Sequence, residues 1–223
     1  MFDINESSEL KQEEFRGTKI YTIDNFYKNP DKIVEFLSYL DTLVFKKNEV
    51  PSHNMVHFED RRHQVMSHSV VKVYEFLRNI CGIMEIGIDE SKHFVLANNA
   101  RFYSRTFNNY YDNYWWPHVD NYKYAAIIYL NKGDTSCGTN LYENLNPQNE
   151  PPNLPEHYQP WRSKDNYKVI KHLQPKYNRL VLFEGCKFPH GMNICTDRYF
   201  SEEYRINQVL FLGQEIQTKK IIS

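Results

Sequence analysis

The stretch WWPHVDNYKYAAIIYLN, residues 115–131, carries a candidate site in its first half and a fold-deciding strand in its second. Residues 124–131 (YAAIIYLN) are nearly all apolar, as expected of a strand covered on both faces. Ahead of them stand His118 and Asp120, two positions apart. In an extended segment, residues i and i+2 point to the same face, so both side chains can reach one ion. One further His would complete a two-His, one-carboxylate face with open positions, a donor set suited to iron(II). A lone His-X-Asp also fits two solvated polar residues near a strand end. The rest of the chain has to decide between these readings.

The chain has 223 residues, enough for one domain of good size. Residues 1–17 are polar and charged and read as a flexible N-terminus, leaving 18–223 as a single domain with its core at about 94–213. Lys plus Arg (27) nearly balance Asp plus Glu (28), so no net field attracts nucleic acid or an anionic membrane strongly, which counts against a DNA or RNA substrate. Aromatics make up 15% of the chain, enough for a dense core and hydroxyl-tipped pocket walls. No apolar run reaches the length of a membrane span, and the acidic start is not signal-like. Cys81, Cys137, Cys186 and Cys195 are scattered without a Cys-X-X-Cys pair, which reads as reduced thiols of a cytoplasmic protein.

The remaining chain reads as two helices followed by strands. Residues 19–26 (KIYTIDNF) form a first strand, and Asn29-Pro30-Asp31 opens a helix with Ile33, Val34, Leu37 and Leu40 on one face. Residues 50–68 hold His53, His57, His63 and His68; Pro51 and the polar surroundings favour a loop over a helical metal pair. Val70, Val73, Leu77 and Ile80 mark a second helix that stops at Gly82, and both helices are expected to cover one sheet face. Residues 94–107, 124–131, 138–144, 179–184 and 205–213 then read as strands, which suggests a sandwich or barrel braced by helices. The Asn- and Pro-rich excursion at 145–168 is either a surface insertion or a lid carrying Tyr158, Trp161 and Arg162 over a pocket mouth.

His190, in FEGCKFPHGMN, follows a buried strand and a Gly turn and is the leading third ligand; His157 and His172 sit in more polar, irregular sequence. Arg205 heads the alternating strand RINQVLFL. An inward Arg there must be paired, and a dicarboxylate such as 2-oxoglutarate would match its guanidinium bidentately. A buried Arg–Glu pair or an exposed strand start would explain it as well.

In this order, His118-X-Asp120, YAAIIYLN, GTNLYEN, RLVLFEG with PHGMN, and RINQVLFL, the chain resembles the Fe(II)/2-oxoglutarate-dependent dioxygenases over residues 101–213. The likeness is to the prolyl-hydroxylase-like branch and to small bacterial and phage members. It implies a mainly β fold, a double-stranded β-helix of jelly-roll or cupin-like type braced by N-terminal helices. It implies Fe(II) held by His118, Asp120 and His190, with 2-oxoglutarate and O2 as co-substrates and succinate and CO2 as products. Arg205 matches the residue that pairs with the distal carboxylate, Tyr129 a supporting tyrosine, and Tyr103 a further hydrogen-bonding one. The retained carboxylate at Asp120 implies hydroxylation rather than halogenation. The interval from His190 to Arg205 is longer than the family's usual one, which leaves Arg198 as a rival anchor.

Arg101, Trp115, Trp116, Asn121 and Trp161 are the candidates to face the prime substrate, a small molecule or a peptide, with an amino-acid or peptidyl group favoured by the resemblance. Two other readings use the same barrel: a cupin-like metalloprotein with non-oxygenase chemistry, and a non-catalytic jelly-roll module.

Overall fold

The computed structural model describes residues 1–38, 43–47, 50–59, 64–83, 93–99, 113–115, 117–133, 137–149, 161–193 and 205–215. In chain order the elements are β1 (Leu10–Phe15), β2 (Thr18–Ile23), α1 (Pro30–Ser38), β3 (Leu43–Lys47), β4 (Val50–Glu59), α2 (Gln64–Cys81), β5 (His93–Asn99) and β6 (Asn113–Trp115). There follow β7 (Tyr122–Tyr129), β8 (Thr139–Asn144), β9 (Trp161–Ser163), β10 (Tyr167–Leu173), β11 (Arg179–Phe183), β12 (His190–Met192) and β13 (Arg205–Glu215).

The strands make an eight-stranded sheet in the order β1-β2-β11-β7-β13-β5-β4-β3, a three-stranded sheet β10-β8-β12 and a ribbon β6-β9. The ladders within them are antiparallel. Among the described residues the fold is therefore mainly β with two α-helices, and the described strands form open sheets instead of a closed barrel. Side chains of the large sheet pack against those of the small one.

Strand β7 explains the all-apolar run. Tyr124, Ala126 and Ile128 face one way and join Ile33 of α1 and Val73, Tyr74 and Leu77 of α2 in one core. Ala125, Ile127 and Tyr129 face the other way and pack with Leu141 of β8, Leu173 of β10 and Phe188. A central strand between two cores has no face left for polar residues. Helix α1 begins at the expected Pro30, and α2 is closed by Gly82 in the left-handed region (φ 65°).

Several expectations change. Residues 1–17 are not loose: Phe2 is buried edge-on against Tyr27, and β1 pairs with β2 along its whole length. Arg16 and Gly17 both have positive φ, the two-residue turn whose twist suits a hairpin. Strand β1 looked unstructured because it is a mostly exposed edge strand, and charges on such an edge deter further pairing. Residues 50–59, expected as a loop with Pro51 and two histidines, are strand β4; its ladder with β5 supplies what local propensity did not. The strand expected over 94–107 is seen at 93–99, and 100–107 lie outside the described residues. Within 145–168 the chain makes a short 3-10 turn at Pro147–Asn149 and then β9. Cys81, Cys137 and Cys186 are free thiols, and no helix among the described residues is long and apolar enough to cross a membrane.

The end of β2 is tied to the β10–β11 turn and the start of β11 by Asp24, which accepts from Arg179 Nε at 2.6 Å and Nη2 at 3.1 Å and from Lys176 Nζ at 3.1 Å. The Arg179 hydrogen bonds, aided by Lys176, hold its carboxyl down at about 2. A depressed folded-state value contributes stability above the unfolded value and loses it as pH falls through the folded one. Asp24→Asn should cost about 1–2 kcal/mol in denaturant unfolding at neutral pH. That difference should fade between about pH 4 and about pH 2.

Candidate metal centre

Two chain segments meet at the site through their backbones. His118 N donates to His190 O at 2.9 Å and His190 N to His118 O at 2.8 Å, a closed antiparallel pair. Opposed residues of such a pair project to the same side, and the two imidazole centroids are 4.6 Å apart. Asp120, two residues beyond His118, shares that side. Its own N–H donates to Gly185 O at 3.1 Å, pinning it to the turn after β11. Gly185 has no room for a side chain: a Cβ there would lie 2.6 Å from Asp120 Oδ2 and 2.9 Å from Ala125 Cβ.

His118 Nε2 is 3.6 Å from Asp120 Oδ1, and His190 Nε2 is 3.2 Å from Asp120 Oδ2. One donor atom from each of the three residues falls within 4.8 Å of the other two. His190 Nδ1 lies 3.0 Å from Phe188 O and donates to it, which turns the Nε2 lone pair toward the cluster. His190 and Asp120 are buried, whereas the His118 side chain is 40% exposed, so the cluster is open on one side.

Charge in this cluster is tightly coupled. Burial raises the Asp120 carboxyl's pKa, but the charge and contact of His190, with help from His118, bring it below its ordinary value. Burial lowers that of His190, yet the Asp120 carboxylate and the Phe188 carbonyl carry it above its ordinary value. The pair is close, but Asp120 Oδ2 is enclosed and has no aligned donor among the described residues. A buried carboxylate whose two oxygens each face an imidazole nitrogen suits a divalent cation, and two nitrogens with one carboxylate is the donor set of a non-haem iron(II) face.

Arg205, at the head of β13, is buried, so the exposed-start alternative does not hold. Its Nη1 donates to Asn207 Oδ1 at 2.6 Å, Nε to Cys137 O at 3.2 Å and Nη2 to Gly138 O at 3.4 Å. Its Cζ is 5.9 Å from the centre of the Tyr129 ring, and Tyr129 Oη donates to Thr139 Oγ1 at 3.0 Å. Strand β7 links this cradle to the His118–Asp120–His190 cluster: Ala125 lies at the Gly185–Asp120 end and Tyr129 at the Arg205 end. Four residues of strand span roughly 13 Å, enough for a five-carbon diacid and its contacts.

Of the other candidates, His172 turns away from the triad and bonds Asn140 Oδ1 through Nδ1 at 2.7 Å. Trp115 and Trp161 sit opposite each other in the β6–β9 ladder. Asn121 is exposed beside Asp120, and Arg162 is buried. Arg101, Tyr103, Trp116, His157, Tyr158 and Arg198 lie outside the described residues. Sequence reading missed Thr139, Asn207 and Gly185. The first two could have been found from strand period, since Asn207 stands two positions from Arg205 and Thr139 two from inward Leu141.

No family model and no curated protein matches the chain. Similar solved structures include a prolyl 4-hydroxylase from Phytophthora capsici, 12% identical with a TM-score of 0.47 over 87% of this chain and 58% of that one. A Pseudomonas putida prolyl-4-hydroxylase is 9% identical with a TM-score of 0.44, over 87% and 92%. An oxidoreductase of the 2OG-Fe(II) oxygenase family from Burkholderia pseudomallei is 11% identical with a TM-score of 0.42, over 87% and 85%. The chain thus spans little more than half the length of the first of these. Likenesses this faint decide nothing about chemistry; the side-chain geometry has to.

Gly185→Ala should push Asp120 off its position while leaving both sheets intact. Mn(II) affinity measured by calorimetry should fall at least about tenfold, as for other changes that misorient a metal ligand. Wild-type affinity in this variant would mean that Asp120 does not bind the ion.

Proposed function

We propose that the protein is an Fe(II)- and 2-oxoglutarate-dependent oxygenase that hydroxylates a C–H bond of a small-molecule or peptidyl substrate of amino-acid type. The observation that carries this reading is the triad itself: one donor atom each from His118, Asp120 and His190 gathered within 4.8 Å, with a buried carboxylate oxygen that no hydrogen bond among the described residues satisfies. On this reading the two packed sheets are the faces of a double-stranded β-helix, with the triad at one end of the space between them.

Each residue has a defined task. His118 and His190 would supply imidazole nitrogens, the latter oriented by the Phe188 carbonyl. Asp120 supplies the anionic ligand, and Gly185 leaves it room. Arg205 receives the distal carboxylate of 2-oxoglutarate, beside Tyr129 and Thr139. Iron(II) in this site would couple O2 and the oxidative decarboxylation of 2-oxoglutarate, to succinate and CO2, to hydroxylation of the substrate. The open side at His118 is where substrate would approach.

Purified protein given Fe(II), ascorbate, 2-oxoglutarate and O2 should release succinate slowly even without prime substrate. His118→Ala and Asp120→Ala should each lower that rate by at least about 100-fold, since losing a ligand removes the ion that carries the chemistry. A wild-type protein that neither binds nor consumes 2-oxoglutarate would sink the reading.

A further inference from the structure

A cavity of about 320 Å3 opens between β1 and β2 on one side and β10 on the other. Strand β10 is the edge of the small sheet opposite β12, which carries His190. The described residues that line the cavity include none of the triad and none of the Arg205 cradle. Strand period explains the lining. Leu10 packs into the core beneath the helices and Phe15 into the core between the sheets, so Lys11 and Glu13 share the Phe15 side. Ile20 and Val181 face that side too and, with Leu173 of β10, form an apolar floor. Phe183, two positions beyond Val181, packs edge-on against the His190 ring at 5.0 Å, so the cavity and the triad lie along one strand without sharing a residue.

Charge around this cavity does not cancel. Lys171 Nζ reaches across the cleft to Glu13 Oε2 at 2.8 Å. Arg179 is held by Asp24, which also takes Lys176 at 3.1 Å. Lys11 has no partner among the described residues. Lys11, Lys171, Lys176 and Arg179 thus face Glu13 and Asp24, four cations against two carboxylates. An anion that neutralises Lys11 and lays an apolar body on the floor gains from both contacts, and the stems of the basic side chains extend the apolar wall. At roughly 30 Å3 per water-sized group, the space holds about ten non-hydrogen atoms.

We propose that this cavity is a second ligand site, for a small carboxylate with a short apolar chain, held by Lys11 and seated on Ile20, Leu173 and Val181. It stands whether or not the protein is an oxygenase.

The test titrates hexanoate and 1-hexanol into the whole chain, wild type and Lys11→Gln, and follows the Ile, Leu and Val methyl groups by NMR. Hexanoate should move the Ile20, Leu173 and Val181 signals saturably in the millimolar range, at least about threefold more tightly than hexanol. Lys11→Gln should bring hexanoate to the level of hexanol and leave hexanol unchanged. If charge at this edge serves only to deter strand pairing, the two compounds bind alike in both proteins, and the proposal falls. It falls as well if hexanoate moves only methyl groups elsewhere, or none, or binds Lys11→Gln as it binds wild type. Should Lys11→Gln fail to fold, wild type decides alone: raised salt should erase the preference for hexanoate, and a preference that survives it overturns the role of Lys11.

Discussion

Two backbone hydrogen bonds, His118 N to His190 O and His190 N to His118 O, hold the candidate site together. The residues they join are 72 positions apart in the chain. Because opposed residues of an antiparallel pair project to one side, these bonds bring both imidazoles to the same place. Asp120 follows automatically at the next inward position of its segment. The bond from Asp120 N to Gly185 O then fastens this group to the end of a strand buried in the large sheet. The three side chains thus stand on backbone that is held by ladders and turns, which is what a rigid ion site needs.

The same sheet relates the triad to its anchor. Strand β7 is sandwiched between two cores, so it can neither twist away nor slip register without exposing one of them. Its Ala125 end touches the Gly185–Asp120 corner, and its Tyr129 end meets Arg205 and Asn207. The reach between the two ends is therefore set by strand geometry. A ligand of matching length can bridge them without ordering a loop.

Much of the fold could be read from the sequence where burial is two-sided or where caps are strong. Residues 124–131 and 179–184 are apolar because both faces of their strands are covered, and Pro30 and Gly82 mark their helix ends by local backbone preference. Strand β1 was hidden because an edge strand carries charge where period-two hydrophobicity would otherwise show. Strand β4 was hidden because Pro51 and several polar residues outweigh any local signal, and only the partner strand β5 reveals it. At the site, the His118–Asp120 pairing is a period-two feature and so was readable. The approach of His190 depends on a long-range ladder, and the space required at Gly185 depends on a neighbour 65 positions earlier, so neither has a local signature.

The central claim, that one divalent ion and one 2-oxo diacid share the space between the sheets, is tested most directly by a crystal structure with Mn(II) and 2-oxoglutarate soaked or co-crystallised under anaerobic conditions. The account predicts one metal ion bound by His118 Nε2, an Asp120 carboxylate oxygen and His190 Nε2. It further predicts 2-oxoglutarate with its 2-oxo acid end on the metal and its distal carboxylate on Arg205. A metal bound elsewhere, or a diacid whose distal carboxylate ignores Arg205, would contradict it.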